Sequence, residues 1–174
     1  MCKKFILTLR LNRKLKVIGI DPGLNNTGFG IILFNNKKIE TIDFGVISSN
    51  YKDPLSKRLN MIYKDILSII IKYSPDCMSI EEVFYSNNVK TTMKLGQARG
   101  AVLIAAAQAK VQVYEYSAKK IKLSLTGNGA SHKDQVKFMV ENLLQIKLDN
   151  CKNDVSDALA AAICHEQQFR GSDL

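Results

Sequence analysis

Short runs of β-branched and aromatic residues dominate the first 50 residues and are separated by turn residues. Lys16–Asp21 has the sequence KVIGID and is followed by Pro22-Gly23, which predicts a strand and then a turn. Thr27–Phe34 and Ile39–Ser48 carry the same residue types on either side of the polar turn Asn35–Lys38. Three strands with such short connections predict an antiparallel meander.

Helical spacing of apolar residues begins after the meander. Pro54–Tyr73 predicts an amphipathic helix that Pro75 ends. Cys77–Phe84 predicts a fourth strand, which a crossover helix would place parallel to the first. Lys90–Lys110 predicts a long helix, nearly all apolar from 101 to 107, and we therefore expect it to be buried on more than one side.

The remaining pattern predicts one strand and three helices, namely Val111–Tyr114, Ser117–Leu125, Ser131–Gln145 and Asn153–Phe169. This order of elements predicts an α/β domain with a five-stranded mixed β-sheet flanked by α-helices. We assign residues 16–169 to this single domain. Residues 1–15 form a basic N-terminal extension, for which disorder is one alternative, and 170–174 form a C-terminal tail.

The net charge of +9 is concentrated in two stretches. Residues 1–16 hold six basic side chains and no acidic one, and residues 90–137 hold nine basic against two acidic. A basic surface of this size fits a polyanion such as DNA, and a solvated surface is the alternative. The four cysteines form no CxxC pair, which predicts reduced thiols and a cytoplasmic location. No secretory signal is evident, and no apolar run approaches the roughly 20 residues that span a bilayer.

Five acidic residues are candidates for chemistry, and each has a plain structural alternative. Asp21 ends the first strand, where aspartate also serves turns. Glu81 and Glu82 lie in an apolar strand and face opposite ways, so that periodicity does not choose between them. Asp154 and Asp157 share one face at the start of a helix, where the helix dipole also favours acids.

A metal site would explain all of these carboxylates at once. Carboxylate oxygens are the ligands that Mg²⁺ prefers, and two such ions about 3.5–4 Å apart assist phosphodiester cleavage. With a basic surface to hold the DNA backbone, the sequence favours a nuclease with two Mg²⁺ ions per site, for which Mn²⁺ is expected to substitute.

Five ordered blocks make a family resemblance specific: VIGIDPGLNNTGFGII, SIEEVF, KLGQARGAVLIAAAQ, KKIKLSLTGNGASHKDQV and DVSDALAAAICH. Over about residues 16–166 the chain resembles the RuvC Holliday junction resolvases. The resemblance implies an RNase H-like fold and a homodimer that nicks opposing strands of a four-way DNA junction, with RuvA–RuvB as partner. It implies that the catalytic and metal-binding carboxylates are Asp21, Glu81, Asp154 and Asp157, which leaves Glu82 outside the site.

The resemblance also assigns roles to other side chains. Lys122 and Lys133 match lysines near the scissile phosphate, with a surface role as the alternative. Phe84 matches an aromatic residue that stacks on an unpaired base, with core packing as the alternative. Further DNA contacts are predicted at Lys90, Lys94, Arg99, Lys119 and Lys120. Small residues in the helix from Lys94 to Lys110, Gly96 and Gly100 among them, fit either a dimer interface or packing within the chain.

Two other classes of protein compete with a resolvase. GIDPGLNNTG also resembles the phosphate-binding turn of sugar kinases and actin-like ATPases, but these need a second phosphate loop across two domains, for which 174 residues leave no room. A non-catalytic junction-binding module would need the basic surface alone, whereas all four carboxylates are present. Residues 1–15 precede the family pattern, and a basic DNA-contacting arm, a misassigned start and an inert addition are the alternatives for them. None of these alternatives changes the predicted site residues.

Overall fold

The structure is a computed structural model and describes residues 14–35, 38–82 and 89–171. Within these ranges the elements follow in the order β1 (Lys14–Asp21), β2 (Asn26–Asn35), β3 (Lys38–Ser48), α1 (Leu55–Tyr73), β4 (Cys77–Glu81), α2 (Val89–Gln108), β5 (Gln112–Tyr116), α3 (Ala118–Thr126), α4 (Lys133–Leu144) and α5 (Asn153–Gly171).

The strands form one sheet in the order β3-β2-β1-β4-β5. β1 runs antiparallel to β2, and β2 antiparallel to β3, which confirms the predicted meander. β4 runs parallel to β1, and β5 parallel to β4. The predicted five-stranded mixed sheet is therefore confirmed, with β1 at its centre.

The side chains of β1 point alternately to the two faces of the sheet, and this alternation divides the core into two layers. Val17 belongs to a cluster that includes buried residues of α3, α4 and α5, whereas Ile18 and Ile20 belong to a cluster with α1 and α2. A slip of one residue would exchange the two faces, at a cost of about 1.5–3 kcal/mol for each large aliphatic side chain moved from the core into water. This register also turns Asp21 towards the α5 side of the sheet.

Several predicted strand boundaries differ from the structure, those of β1 and β4 among them. β1 begins at Lys14, inside the stretch that the sequence assigned to the N-terminal extension, while residues 1–13 lie outside the described residues. The predicted strand Cys77–Phe84 is too long, because β4 ends at Glu81. The backbone N–H of Glu82 still donates to the Tyr116 carbonyl oxygen (2.9 Å). Residues 83–88 lie outside the described ranges.

The described part of the chain buries helix α2 on one side only, so the prediction of burial on several sides is wrong for these residues. Ala98, Val102 and Ala105 are fully buried, whereas the side chains of Met93 and Ile104 are 61% and 63% exposed. A hydrophobic pattern reports that a surface is apolar but not whether the same chain covers it. Neither α2 nor any other helix in the described ranges is long and apolar enough to cross a membrane.

Candidate active site

Asp21 and Glu81 end two neighbouring parallel strands at the same edge of the sheet. Ile20 pairs with Ile80 in the β1–β4 ladder, so the next residue of each strand lies beside its counterpart. Both carboxylates share the strand face of Gly19 and Ser79, which is the face that α5 covers. Glu82 follows the strand and is exposed. The strand geometry thus separates the two glutamates that periodicity alone left open.

Glycines in β1 and β2 allow α5 to lie directly on the sheet backbone. A Cβ atom at Gly28 would come within 2.0 Å of the Asp154 carbonyl oxygen, and one at Gly19 within 2.0 Å of the Ala158 carbonyl oxygen. Gly28 is the ladder partner of Asp21. The first turns of α5 are therefore brought over the end of β1, and Asp154 and Asp157 over Asp21.

These glycines are functional positions that the sequence reasoning missed. Glycine weakens a strand interior and often marks a close backbone approach. Gly28 and Gly30 are two residues apart in β2 and therefore share one face of that strand, as Gly19 and Asp21 do in β1. Their spacing was the available indication that a helix packs on that face.

The other three acids lie near enough to one volume beside Asp21 for their charges to act on it. The pKa of Asp21 is raised from 3.8 to about 7, first by burial and then by the charges of Asp157, Glu81 and Asp154, while Lys133 opposes the shift. Burial is also the main cause that raises the pKa of Glu81, followed by the charge of Asp157. A negative charge at Asp21 is therefore costly until a cation balances it.

Two lysines from separate helices extend to the same volume. Lys133 is the first residue of α4, and its Nζ donates to Asp157 Oδ2 at 2.9 Å. This hydrogen bond is the main cause that raises the pKa of Lys133. Lys122, on α3, lies near enough to Glu81 that its charge, with that of Lys133, opposes the rise in the pKa of Glu81. The structure thus brings both predicted lysines to the carboxylates.

The donor set fits a divalent cation of the Mg²⁺ type. Its charged donors are all carboxylate oxygens, and the pKa of Asp21 is raised by burial and then by neighbouring negative charge, which such an ion would offset. In the described part of the chain, no three acidic, histidine or cysteine side chains lie close enough to surround an ion as they stand. The raised pKa of Asp21 and the wider spacing of the side chains are compatible, because like charges act on one another over longer distances than a metal–ligand bond. Ions of the Mg²⁺ type also keep several water ligands.

The loop that follows Asp21 is fixed by side chains that the sequence reasoning did not single out. Thr27 is fully buried, and its hydroxyl donates to the Gly23 carbonyl oxygen at 2.8 Å. Arg58 is buried and donates to the Leu24 carbonyl oxygen (3.0 Å) and to Asn25 Oδ1 (2.6 Å). Arg58 also begins the buried i, i+4 row of α1, which otherwise consists of isoleucines. A positively charged side chain at the start of an otherwise apolar helix face was the indication in the sequence that Arg58 binds another part of the chain.

The remaining predicted residues lie elsewhere or outside the described ranges. Lys90 and Lys94 are exposed on α2, and Lys119 and Lys120 are exposed on α3. Arg99 forms an ion pair with Glu115 of β5, so its guanidinium already has an acidic partner. Phe84, predicted to stack on a base, lies outside the described residues.

The sheet is mixed and five-stranded with helices on both faces, and carboxylates at the ends of β1 and β4 lie beneath the start of α5. This combination defines a nuclease of the RNase H-like fold. The family model described as crossover junction endodeoxyribonuclease RuvC matches residues 17–165. The chain belongs to this family, and it is therefore an endonuclease.

Relatives and solved structures agree with this assignment. The chain is 41% identical over 154 residues to RuvC of Halothermothrix orenii, covering 88% of this chain and 93% of the relative. It is 44% identical over 155 residues to RuvC of Legionella pneumophila, covering 89% and 88%. The structure of Thermus thermophilus RuvC in complex with Holliday junction substrate superposes with a TM-score of 0.85 at 31% identity, covering 91% of this chain and 96% of that one. Enzymes of this family depend on divalent metal ions.

Proposed function

We propose that this endonuclease resolves four-way DNA junctions with Asp21, Glu81, Asp154 and Asp157 as its metal-binding and catalytic carboxylates. The observation that carries the proposal is the placement of Asp21 and Glu81 at the same end of two neighbouring parallel strands, beneath the first turns of α5 with Asp154 and Asp157. The raised pKa of Asp21, caused first by burial and then by the charges of the other three acids, supports it. Buried carboxylates that repel one another destabilise a fold unless they serve a bound cation. The neighbouring Lys122 and Lys133 suit a phosphate substrate.

Mg²⁺ is the proposed metal, with two ions per site and Mn²⁺ as a functional substitute. The proposed donors are hard oxygens, and they come from strands β1 and β4 and helix α5. When bound, the ions would supply positive charge that favours attack of water on phosphorus and departure of the sugar oxygen.

The chain's own residues orient the phosphate and balance its charge. Lys133 is 68% exposed yet hydrogen bonded to Asp157, so its ammonium lies at the mouth of the site, where a phosphate oxygen can meet it. Lys122 approaches from α3 on the side of Glu81. As negative charge grows on the phosphate oxygens during hydrolysis, these two ammonium groups stabilise it without having to reorganise.

DNA would extend from the site over the basic helices. Lys119 and Lys120 are exposed on the helix that carries Lys122, so they can contact backbone phosphates beside the cleaved one. Lys90 and Lys94 on α2 are proposed to hold a second arm of the junction. Phe84 stays a predicted stacking residue. Arg99 also stays a predicted contact, although DNA would have to compete with Glu115 for it.

A homodimer is the proposed active form, and the outer face of α2 supports it. Among the described residues, and apart from the neighbouring backbone of α2 itself, nothing lies within 4 Å of a Cβ atom built at Gly96 or at Gly100. Ile104 continues this face and is 63% exposed. An apolar helix face with two glycines lets a second helix approach closely, and two subunits would supply the two sites that symmetric nicking of opposing strands requires.

The RuvA–RuvB branch-migration complex is the proposed partner, by analogy with the family. A cytoplasmic location, which the cysteine pattern predicted, fits this role and also stays a prediction.

Cleavage of a synthetic mobile junction, compared with linear duplex of the same sequence, tests the proposed function. We expect Mg²⁺-dependent paired nicks in the junction and little cutting of the duplex. Asp21→Asn and Glu81→Gln should each abolish cutting while leaving binding intact, because they remove ligand charge and not the basic surface. Equal cutting of both DNAs would indicate a general nuclease, and normal cutting by either variant would refute the proposed site.

A further inference from the structure

Ser79 joins the strand that carries Glu81 to the helix that carries Asp157. Its side chain is completely buried on β4, two residues before Glu81 and on the same strand face. The hydroxyl donates to the carbonyl oxygen of Ala161 in α5 at 2.6 Å. That oxygen lies inside the helix, where it also has a place in the helix's own hydrogen-bond ladder. The Ser79 bond is thus an additional contact that ties sheet to helix.

Ser79 and Gly19 form one row across the centre of the sheet. They are ladder partners between β4 and β1. Gly19 admits the Ala158 carbonyl oxygen, and Ser79 binds the Ala161 carbonyl oxygen, so neighbouring carbonyls of α5 rest on one row of strand residues. The next row on the same face consists of Asp21 and Glu81. The distance between this row and Asp157 is therefore set where α5 meets the row of Ser79 and Gly19.

Small side chains line α5 where it meets this row, whereas its large side chains Val155, Leu159 and Ile163 are buried beside it. The helix presents Ala158, Ala161 and Ala162, which are buried, to a sheet surface that includes Gly19. Helices hold their position against neighbours through side-chain ridges that fit into grooves, and alanine offers shallow ridges. A directional hydrogen bond in this smooth interface opposes sliding and rotation of the helix.

We propose that Ser79 is a positioning residue of the metal site, which holds Asp157 at the correct distance from Asp21 and Glu81. This inference rests on the proposed function, because it assumes that these carboxylates bind the metal. Ligand groups must be held within about 0.5 Å of their working geometry, so a small shift of α5 weakens metal binding before it weakens DNA binding.

Ser79→Ala tests the proposal, with Tyr73→Phe as the matched control. The control also removes a hydroxyl that hydrogen bonds between elements, here to Asp43, at the end of the sheet near Lys16 and away from Asp21. Metal binding is read from the rise in melting temperature during a Mg²⁺ titration of the free protein. Junction cleavage at varied Mg²⁺ and junction binding without metal are measured beside it.

We expect Ser79→Ala to need roughly three- to tenfold more Mg²⁺ for the half-maximal thermal shift and for half-maximal cleavage, less than the 10–100-fold typical of groups that bond a ligand directly. Its junction affinity should be unchanged. Ser79→Cys, which is similar in size and keeps a weak donor, should recover part of the loss. Tyr73→Phe should lower the melting temperature without changing the Mg²⁺ requirement.

The proposal is overturned if Ser79→Ala has the Mg²⁺ requirement of the wild type, or if Tyr73→Phe raises the requirement equally. Asp21→Asn distinguishes this failure from failure of the proposed function. If Asp21→Asn still cleaves and still shows a Mg²⁺-dependent thermal shift, the assigned metal site itself is wrong. If Asp21→Asn loses both while Ser79→Ala behaves as wild type, only the role of Ser79 is refuted.

Discussion

The ammonium of Lys133 lies 2.9 Å from Oδ2 of Asp157, which places a cation of α4 against a carboxylate of α5 at the edge of the site. The pair is asymmetric, since the Lys133 side chain is 68% exposed and that of Asp157 only 19%. Asp157 is therefore held within the site, whereas the exposed Lys133 ammonium can meet a phosphate from solvent while it stays beside Asp157.

Lys133→Ala is expected to slow cleavage more than it weakens junction binding. Loss of one preorganised donor to a developing oxyanion costs about 10²–10³ in rate in other enzymes, and one phosphate contact among many changes affinity little. Single-turnover cleavage and junction titration at fixed salt measure the two effects. Lys137→Ala, one turn further along α4, is the matched control. Equal losses of rate and affinity in Lys133→Ala would assign Lys133 to backbone holding.

Asp21 is expected to make the metal-free protein less stable as the pH rises. Because folding raises its pKa from 3.8 to about 7, its contribution to stability is complete below 3.8 and is lost as the pH rises through about 7. The melting temperature without metal should fall over this range, and Mg²⁺ should restore more of it at pH 8 than at pH 5.

Asp21→Asn supplies the control for this pH dependence. An amide carries no charge to repel the other acids, so at pH 8 the metal-free variant should melt at a higher temperature than the wild type, with a smaller dependence on pH. A variant that melts lower and keeps the slope of the wild type would show that repulsion at Asp21 does not limit stability.

Arg58→Met is expected to destabilise the protein and loosen the loop that follows Asp21. The substitution removes two hydrogen bonds of the guanidinium, one to the Asn25 side chain and one to the Leu24 carbonyl oxygen, which keeps the Ser49 hydroxyl as a donor. Loss of such charge-assisted bonds costs about 1–3 kcal/mol of unfolding free energy. Urea denaturation measures this loss. Lys57→Met is the control, since the exposed pair of Lys57 with Asp53 contributes about 0.5 kcal/mol or less. A loss no larger than that of the control would mean that Arg58 does not fix the loop.

Ile104→Glu is expected to convert a dimer into monomers. The substitution puts a charge on the exposed face of α2, where an apolar contact between subunits is proposed. Sedimentation velocity measures the oligomeric state, and a supercoiled plasmid with an extruded junction reports whether the two nicks stay coupled. Ile71→Glu alters an isoleucine of α1 that is 67% exposed and should stay dimeric. A dimeric Ile104→Glu variant would place the interface elsewhere.

The pattern of hydrophobic residues predicted most of the fold because alternation and helical spacing report burial directly. Ile18 and Ile20, for example, alternate with Val17 and Gly19, as a strand between two helical layers requires. The end of β4 was predicted too late, since Val83 and Phe84 continue the apolar run beyond Glu81. The one-sided burial of α2 was missed because an apolar sequence pattern does not indicate whether the same chain or another molecule covers the surface.

The candidate site was predicted less completely from the residues alone. Spacing indicated that Asp154 and Asp157 share a face, but it could not choose between Glu81 and Glu82, and that choice came from the family resemblance. The hydrogen bond of the Ser79 hydroxyl could not be predicted, because its acceptor is a backbone carbonyl oxygen 82 positions away. Contacts of this kind depend on how a helix lies on a sheet, which local sequence does not specify.

The glycines beneath α5 limit how this enzyme can be stabilised by engineering. Replacing strand glycines by β-branched residues is a common way to strengthen a sheet. At Gly19 and Gly28, however, a single added carbon would meet a carbonyl oxygen of the helix that carries Asp154 and Asp157. A thermostable variant would have to gain its stability in other places, and a randomised library should leave these two codons fixed.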